Sequence, residues 1–211
     1  MKKISFNQFM YGISFLLVIC IILTILNKYV FKDPHSPIHL NQNVTTNRND
    51  IIFGNPNSPE TIYMFSSYKC GYCRQFFRTV FPKLKANYID KGNLKLVVKL
   101  VEPSQDRDMM YALEVGIGIN QFGDFRKFHE LLLHDNNVVY TDDFKDLCDD
   151  VLRTNSDIAE CILKETVHNY LKENNREFTE LKLTGTPSFI INQKLYKGYL
   201  EYNEIEKIIR N

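Results

Sequence analysis

The sequence has almost no net charge. Its 26 Lys and Arg stand against 25 Asp and Glu, a formal net charge of +1. Nucleic-acid binding rests on a basic patch or stripe, and no such footprint is visible, so that class is set aside. Internal repeats and low-complexity blocks are also missing. There is no second Cys-x-x-Cys, so a four-cysteine zinc site would lack half its ligands. An even cysteine count is absent too. Five cysteines, Cys20, Cys70, Cys73, Cys148 and Cys161, leave at least one outside any internal pairing.

Long hydrophobic runs are absent except at the N-terminus. Met1-Lys2-Lys3 is basic, and Phe15 to Leu26, FLLVICIILTIL, is almost wholly apolar. With softer flanks, Phe9 to Phe31 supplies about twenty membrane-compatible residues, roughly what a spanning helix needs. A signal peptide shares this start but ends in a small-x-small cleavage site, which NKYVFKDPHSP does not offer. Ile19 stands where a small residue would precede a lipidated cysteine, so Cys20 reads as a small apolar residue. Residues 1–31 are therefore expected to be a signal-anchor transmembrane segment, with a cleaved signal peptide as the alternative. The amine, Lys2 and Lys3 outweigh Lys28, Lys32 and Asp33. That bias keeps the start cytoplasmic and exports the rest, to the periplasmic or extracytoplasmic side. Residues 32–49 carry two prolines, several asparagines and little apolar patterning, and read as a tether.

From Asp50 the patterning tightens. A short strand, a Gly-Asn-Pro-Asn turn and a second strand from Thr61 to Phe65 are expected. Phe76, Phe77, Val80, Phe81 and Leu84 then follow helical spacing, with Pro82 kinking or restarting the helix. NLKLVVKLV, residues 93–101, is a buried strand by its β-rich composition. Residues 104–180 read as a set of helices. PSFIINQKLYKGYL gives two strands across a turn at Asn192-Gln193, and a helix from Asn203 to Arg210 closes the chain.

This order places Cys70-Gly71-Tyr72-Cys73 at a strand-to-helix corner. At a helix N-terminus, unpaired N–H groups and the dipole favour a thiolate. Lys69 and Arg74 add positive charge nearby. The thiolate is the attacking species in disulfide exchange. Cys70 is thus the candidate nucleophile and Cys73, one turn further in, the candidate resolving thiol. A metal site and a purely structural disulfide stay open on spacing alone.

Thr186-Pro187 stands directly before the strand SFIIN. With FGNPNSPETIYMFSSYKCGYC, FPKLKANYIDKGNLKLVVKLVE, DMMYALEVGIGINQFGDFRKFHELLLH and GTPSFIIN, the chain resembles the thioredoxin superfamily. Within it, the chain is similar to the exported DsbA-like thiol-disulfide oxidoreductases. The resemblance covers about 160 residues, 50–211. It implies an α/β thioredoxin fold with an inserted helical subdomain at about 104–180, preceded by the transmembrane helix. It implies a cis Thr186-Pro187 bond, with Thr186 helping to bind substrate backbone beside Cys70. It also implies redox chemistry without a cofactor or a metal. The partners it implies are unfolded or partly folded exported proteins and a membrane redox partner that recycles the dithiol.

Some residues depart from the DsbA pattern. Gly71-Tyr72, which tunes the redox behaviour, and Thr186 are closer to the disulfide isomerase DsbC. Ser66 stands where many relatives carry an acid. Isomerases of that kind carry an N-terminal dimerisation domain, and only the tether precedes the thioredoxin part here. An oxidase is therefore expected, with an isomerase or reductase of the same fold as the alternative. A non-catalytic or metal-binding module is the reading from another class. Cys148 and Cys161 fall on two consecutive amphipathic helices, the second with Asp157 and Glu160 spaced as a capping box. A structural disulfide between them and two separate buried thiols are both open.

Overall fold

The computed structural model describes residues 15–24, 37–41 and 43–210, and its chain divides into two units, 1–36 and 37–211. In the first unit, residues 15–24 form helix α1, whose Phe15, Leu16, Leu17, Ile21, Ile22 and Leu23 are all exposed. Among the described residues no helix is long and apolar enough to cross a membrane. The rest of the expected span, residues 9–14 and 25–31, lies outside the described residues, as do residues 32–36 of the tether.

The second unit is built on a six-stranded sheet. Its strands are β1 (Ile38–His39), β2 (Ile51–Phe53), β3 (Glu60–Ser66), β4 (Leu94–Leu100), β5 (Ser188–Ile191) and β6 (Lys194–Lys197), in the order β1-β6-β5-β3-β4-β2. β1 lies within residues 32–49, the segment read as a tether. Its two residues pair with Leu195 and Lys194, closing the sheet edge with backbone bonds that composition does not announce. β3 runs parallel to β4 and antiparallel to β5, with Phe65 beside both Lys99 and Ser188.

A central strand covered on both faces reads as a nearly continuous apolar run, and β3 and β4 do. The period of two sorts β3 between two cores. Ile62 and Met64 face one side with Phe76, Leu96, Val98 and Phe189. Tyr63 and Phe65 face the other with Val101, Phe178, Ile190 and Leu195. Parallel pairing of β3 and β4 needs a crossover. It is supplied by α2 (Gly71–Thr79), α3 (Phe81–Leu84) and a π-helical turn, Lys85–Ile89. Pro82 sits in the first turn of α3, where its missing N–H costs nothing, so the helix restarts there.

The insertion comprises α4 (Arg107–Phe122), α5 (Phe125–His134), a 3-10 turn at Asn136–Tyr140, α6 (Asp142–Thr154), α7 (Ser156–Leu163) and α8 (Thr166–Glu180). Asp106, Asp124, Thr141 and Asn155 each cap a helix through a side-chain oxygen. The cap of α7 differs from the sequence reading. Asn155 Oδ1 accepts from the amides of Asp157 and Ile158, so the helix begins ahead of the expected capping box, and Glu160 pairs with Lys164 instead. α4 passes close to its neighbours because Gly116 and Gly118 lack side chains. A Cβ there would come within 2.8 Å of Phe128 and Ile158 respectively. The β5–β6 hairpin turns at Asn192 and Gln193, both in left-handed conformation, as a two-residue turn requires. Helix α9 (Tyr202–Arg210) closes the unit.

Candidate active site

The strand β3 ends at Ser66, and the chain turns through Ser67, Tyr68 and Lys69 into α2. Cys70 is the N-cap residue, with extended backbone at φ −83° and ψ 116°. Its carbonyl accepts the first helical bond from Arg74 N at 3.2 Å. Cys70 is half-buried, whereas Cys73, one turn on, is 1% exposed. Both are free thiols in this structure.

The Thr186-Pro187 peptide bond is cis and leads straight into β5. It brings the Thr186 carbonyl to 2.9 Å from Cys70 Sγ, close enough to accept from the thiol. The two segments are 116 residues apart in sequence and meet because β5 lies beside β3.

The two sulfurs have opposite acidities. The Cys70 thiol is lowered to about 5. Its main cause is a hydrogen bond from Cys73. The Thr186 side chain and the backbone N–H groups of Cys73 and Tyr72 add to it, against the opposing effect of partial burial. Burial drives the Cys73 thiol well above its ordinary range, and its hydrogen bond to Cys70 adds to the shift. Ser66 and the Ser67 backbone oppose it only in part. Cys70 is thus the far more acidic of the pair, and Cys73 is held protonated as the donor to it.

Lys69 and Arg74 do not act as the sequence suggests. Lys69 Nζ turns to Asp106 at 3.1 Å and Glu102 at 3.5 Å. Arg74 Nη1 donates to the Tyr68 carbonyl at 3.0 Å and to Asn136 Oδ1 at 2.6 Å, binding the CxxC loop to the insertion. Hydrogen bonds and the helix end, rather than flanking cations, set the acidity of Cys70. Gly71 faces open space, and Tyr72 is 62% exposed with its ring 6.0 Å from that of Tyr199.

Two groups at the site carry no sequence motif. Glu102 follows β4 and is buried. Its Oε1 takes the Ser104 hydroxyl, and its Oε2 has no hydrogen-bond partner. With Cys70 and Thr186 it lines a groove of about 550 Å³. The only cue in sequence is a carboxylate placed directly after a buried run. The second is His129, in an aromatic box with Phe53, Phe77 and Phe125. The Tyr68 hydroxyl and the His129 Nδ1 share a hydrogen bond of 2.6 Å. Burial lowers the imidazole to about 4 and holds it neutral.

Cys148 and Cys161 are not bonded to each other here. Cys148 is wholly buried on α6, its thiol pushed up to about 12 by burial, and lies near Tyr111. Cys161 Sγ instead faces Gln121 Oε1 at 3.9 Å. The two helices turn their sulfurs to different neighbours. Among the described residues no group of three or more His, Cys, Asp or Glu is arranged to hold a metal ion.

A CxxC at a strand-to-helix corner, against a cis proline on the neighbouring strand, defines a thioredoxin fold, here with a helical insertion. A family model described as thioredoxin matches residues 46–211, and the chain belongs to that family. Disulfide bond formation protein D of Bacillus subtilis is 24% identical over 165 residues, covering 75% of this chain and 74% of that protein. A Rickettsia typhi protein, provisionally named a protein-disulfide oxidoreductase, is 26% identical over 158 residues, 72% of this chain and 57% of that one. The chain thus spans little more than half of the rickettsial relative. Among solved structures, alpha-DsbA1 of Wolbachia pipientis shares the fold with a TM-score of 0.62 at 20% identity, covering 79% of this chain and 92% of that one. Oxidised BdbD of Bacillus subtilis gives 0.59 at 22%, with coverage of 77% and 92%.

Proposed function

We propose that the protein is a thiol-disulfide oxidoreductase of the DsbA type, working as an oxidase of exported proteins. The observation that carries this reading is the paired acidity at the CxxC, a stabilised thiolate at Cys70 beside a protonated Cys73. A stabilised thiolate stabilises the reduced form and so makes the disulfide a stronger oxidant.

The reaction starts from the Cys70–Cys73 disulfide. A substrate thiolate attacks Cys70 Sγ, and the bond to Cys73 breaks. Cys73 leaves as a thiolate and takes a proton from solvent, since burial disfavours its charge. A second substrate thiolate attacks the substrate sulfur of the mixed disulfide, and Cys70 leaves as a thiolate. Two substrate thiols become one disulfide, and the two electrons stay on the Cys70–Cys73 dithiol. A disulfide-bearing membrane redox partner would then reoxidise it. The groove beside Cys70 and Thr186 gives an extended substrate its seat. Anchoring through residues 1–31, with residues 37–211 on the extracytoplasmic side, belongs to the same proposal.

Gly71-Tyr72 and Thr186 favour isomerase chemistry as the second reading. The full chain is tested on a reduced unfolded protein and on the same protein with scrambled disulfides. Fast oxidation of the first with little rescue of the second supports the oxidase. Strong rescue of the scrambled form replaces it with the isomerase.

A further inference from the structure

A second pocket, of about 800 Å³, opens beside the Cys70 groove, and Pro103 and Thr179 line both. Its walls come from the first turns of α4 and from α8. Three permanent cations line it, Arg107, Lys172 and Arg176, against one carboxylate, Glu114, which His168 Nδ1 already meets at 2.6 Å. Arg176 is held by Glu173 and Glu180 on its own helix. Arg107 and Lys172 are exposed and make no ion pair or side-chain hydrogen bond among the described residues. The whole chain is nearly neutral, so this local excess is a feature of the pocket and not of the composition. In the Cys70 groove, by contrast, Glu102 is balanced by Lys69.

We infer that this pocket is a specificity subsite that takes an acidic segment of the substrate polypeptide, a few residues from the cysteine engaged at Cys70. The inference rests on the oxidase reading and adds a substrate class to it. A chain lying in the Cys70 groove and continuing over Pro103 and Thr179 arrives between Arg107 and Lys172. Aspartate or glutamate at that point gains two cations that have no other partner among the described residues, and a basic residue there meets net repulsion from the excess of cations over Glu114. Exposed pairs of this kind are individually weak, so the preference is of modest size and sensitive to salt.

The test uses the oxidised full chain and three reduced dithiol peptides, identical except for a flank of Asp-Glu, Ser-Gly or Lys-Lys. The acidic peptide is expected to be oxidised about three- to tenfold faster than the neutral one in low salt, the range that two or three exposed ion pairs supply. The basic peptide is expected to be slowest, and half-molar salt is expected to compress the series. In the Arg107→Glu/Lys172→Glu variant the acidic-to-neutral ratio falls to one or below. If that variant does not fold, Arg107→Gln/Lys172→Gln gives the same ratio test. Equal rates for all three peptides on the unaltered chain, or a faster basic peptide, overturn the subsite and leave the oxidase reading standing. No oxidation of any peptide overturns both.

Discussion

Two sulfur atoms one helical turn apart share a sequence motif but not an environment. Cys70 receives hydrogen bonds at a helix end, and Cys73 is sealed under it. Because the bond from Cys73 is the largest cause of the acidity of Cys70, Cys73→Ala is expected to raise the Cys70 pKa by about a unit or more. Thiolate absorbance titration of the reduced variant checks this, and an unchanged value would remove Cys73 as the donor. The buried His129 gives a second expectation. Its folded pKa of about 4 lies below the ordinary 6.5, so the unfolded chain takes up the proton first as pH falls. Its contribution is present above pH 6.5 and is lost as pH drops toward 4, at most about 3 kcal/mol for a group this buried. Denaturant unfolding of His129→Leu should show lower stability at pH 7 but a shallower loss between pH 6.5 and 4. At this scale the CxxC was legible as a local motif, and the role of Thr186-Pro187 through the family resemblance. Glu102, His129 and the true partners of Lys69 were not, since Lys69 meets Glu102 and Asp106, and Tyr68 meets His129, across long stretches of sequence (37 positions for Lys69–Asp106, 61 for Tyr68–His129) that no spacing rule reports.

Elements were more legible than their ends. The apolar runs of β3 and β4, the restart at Pro82 and the hairpin at Asn192-Gln193 follow from patterning and backbone chemistry. The edge strand β1 does not, because two exposed residues leave no apolar signal. The start of α7 was misplaced because asparagine and aspartate both cap well, and only the folded chain decides between Asn155 and Asp157. Asp106 illustrates how an end can serve the site. Its Oδ1 caps α4 by accepting from Met109 N at 3.0 Å, and its Oδ2 takes Lys69 and the Tyr140 hydroxyl. The Met109 amide, first of these, holds its carboxyl down to about 2. Asp106→Ala is expected to cost about 0.5–2 kcal/mol, the usual range for a lost cap. It should also loosen Lys69 at the groove. Asp106→Asn, which keeps the cap acceptor, should recover most of the stability in chemical denaturation. A variant as unstable as Asp106→Ala would contradict the cap as the main contribution.

Across residues 37–211, the sheet and the insertion are joined by a buried polar network. Asp50, directly before β2, accepts from the Tyr170 hydroxyl of α8 at 2.5 Å and faces Lys99 of β4 at 3.5 Å. Lys99 also reaches Glu177 of α8 at 3.3 Å, and Asn174 donates to the Leu100 carbonyl at 3.0 Å. Such a network adds little over apolar packing, but breaking it strands a buried charge. Asp50→Ala is therefore expected to cost about 3–5 kcal/mol, and thermal unfolding measures it. A loss below about 1 kcal/mol would mean that Lys99 is satisfied by Glu177 alone. If this scaffold stabilises the Cys70 thiolate, the Cys70–Cys73 disulfide is oxidising, and its equilibrium potential against glutathione reads this out. A value of roughly −200 to −120 mV, on the oxidising side of thioredoxin, is expected, and one near −270 mV would contradict it.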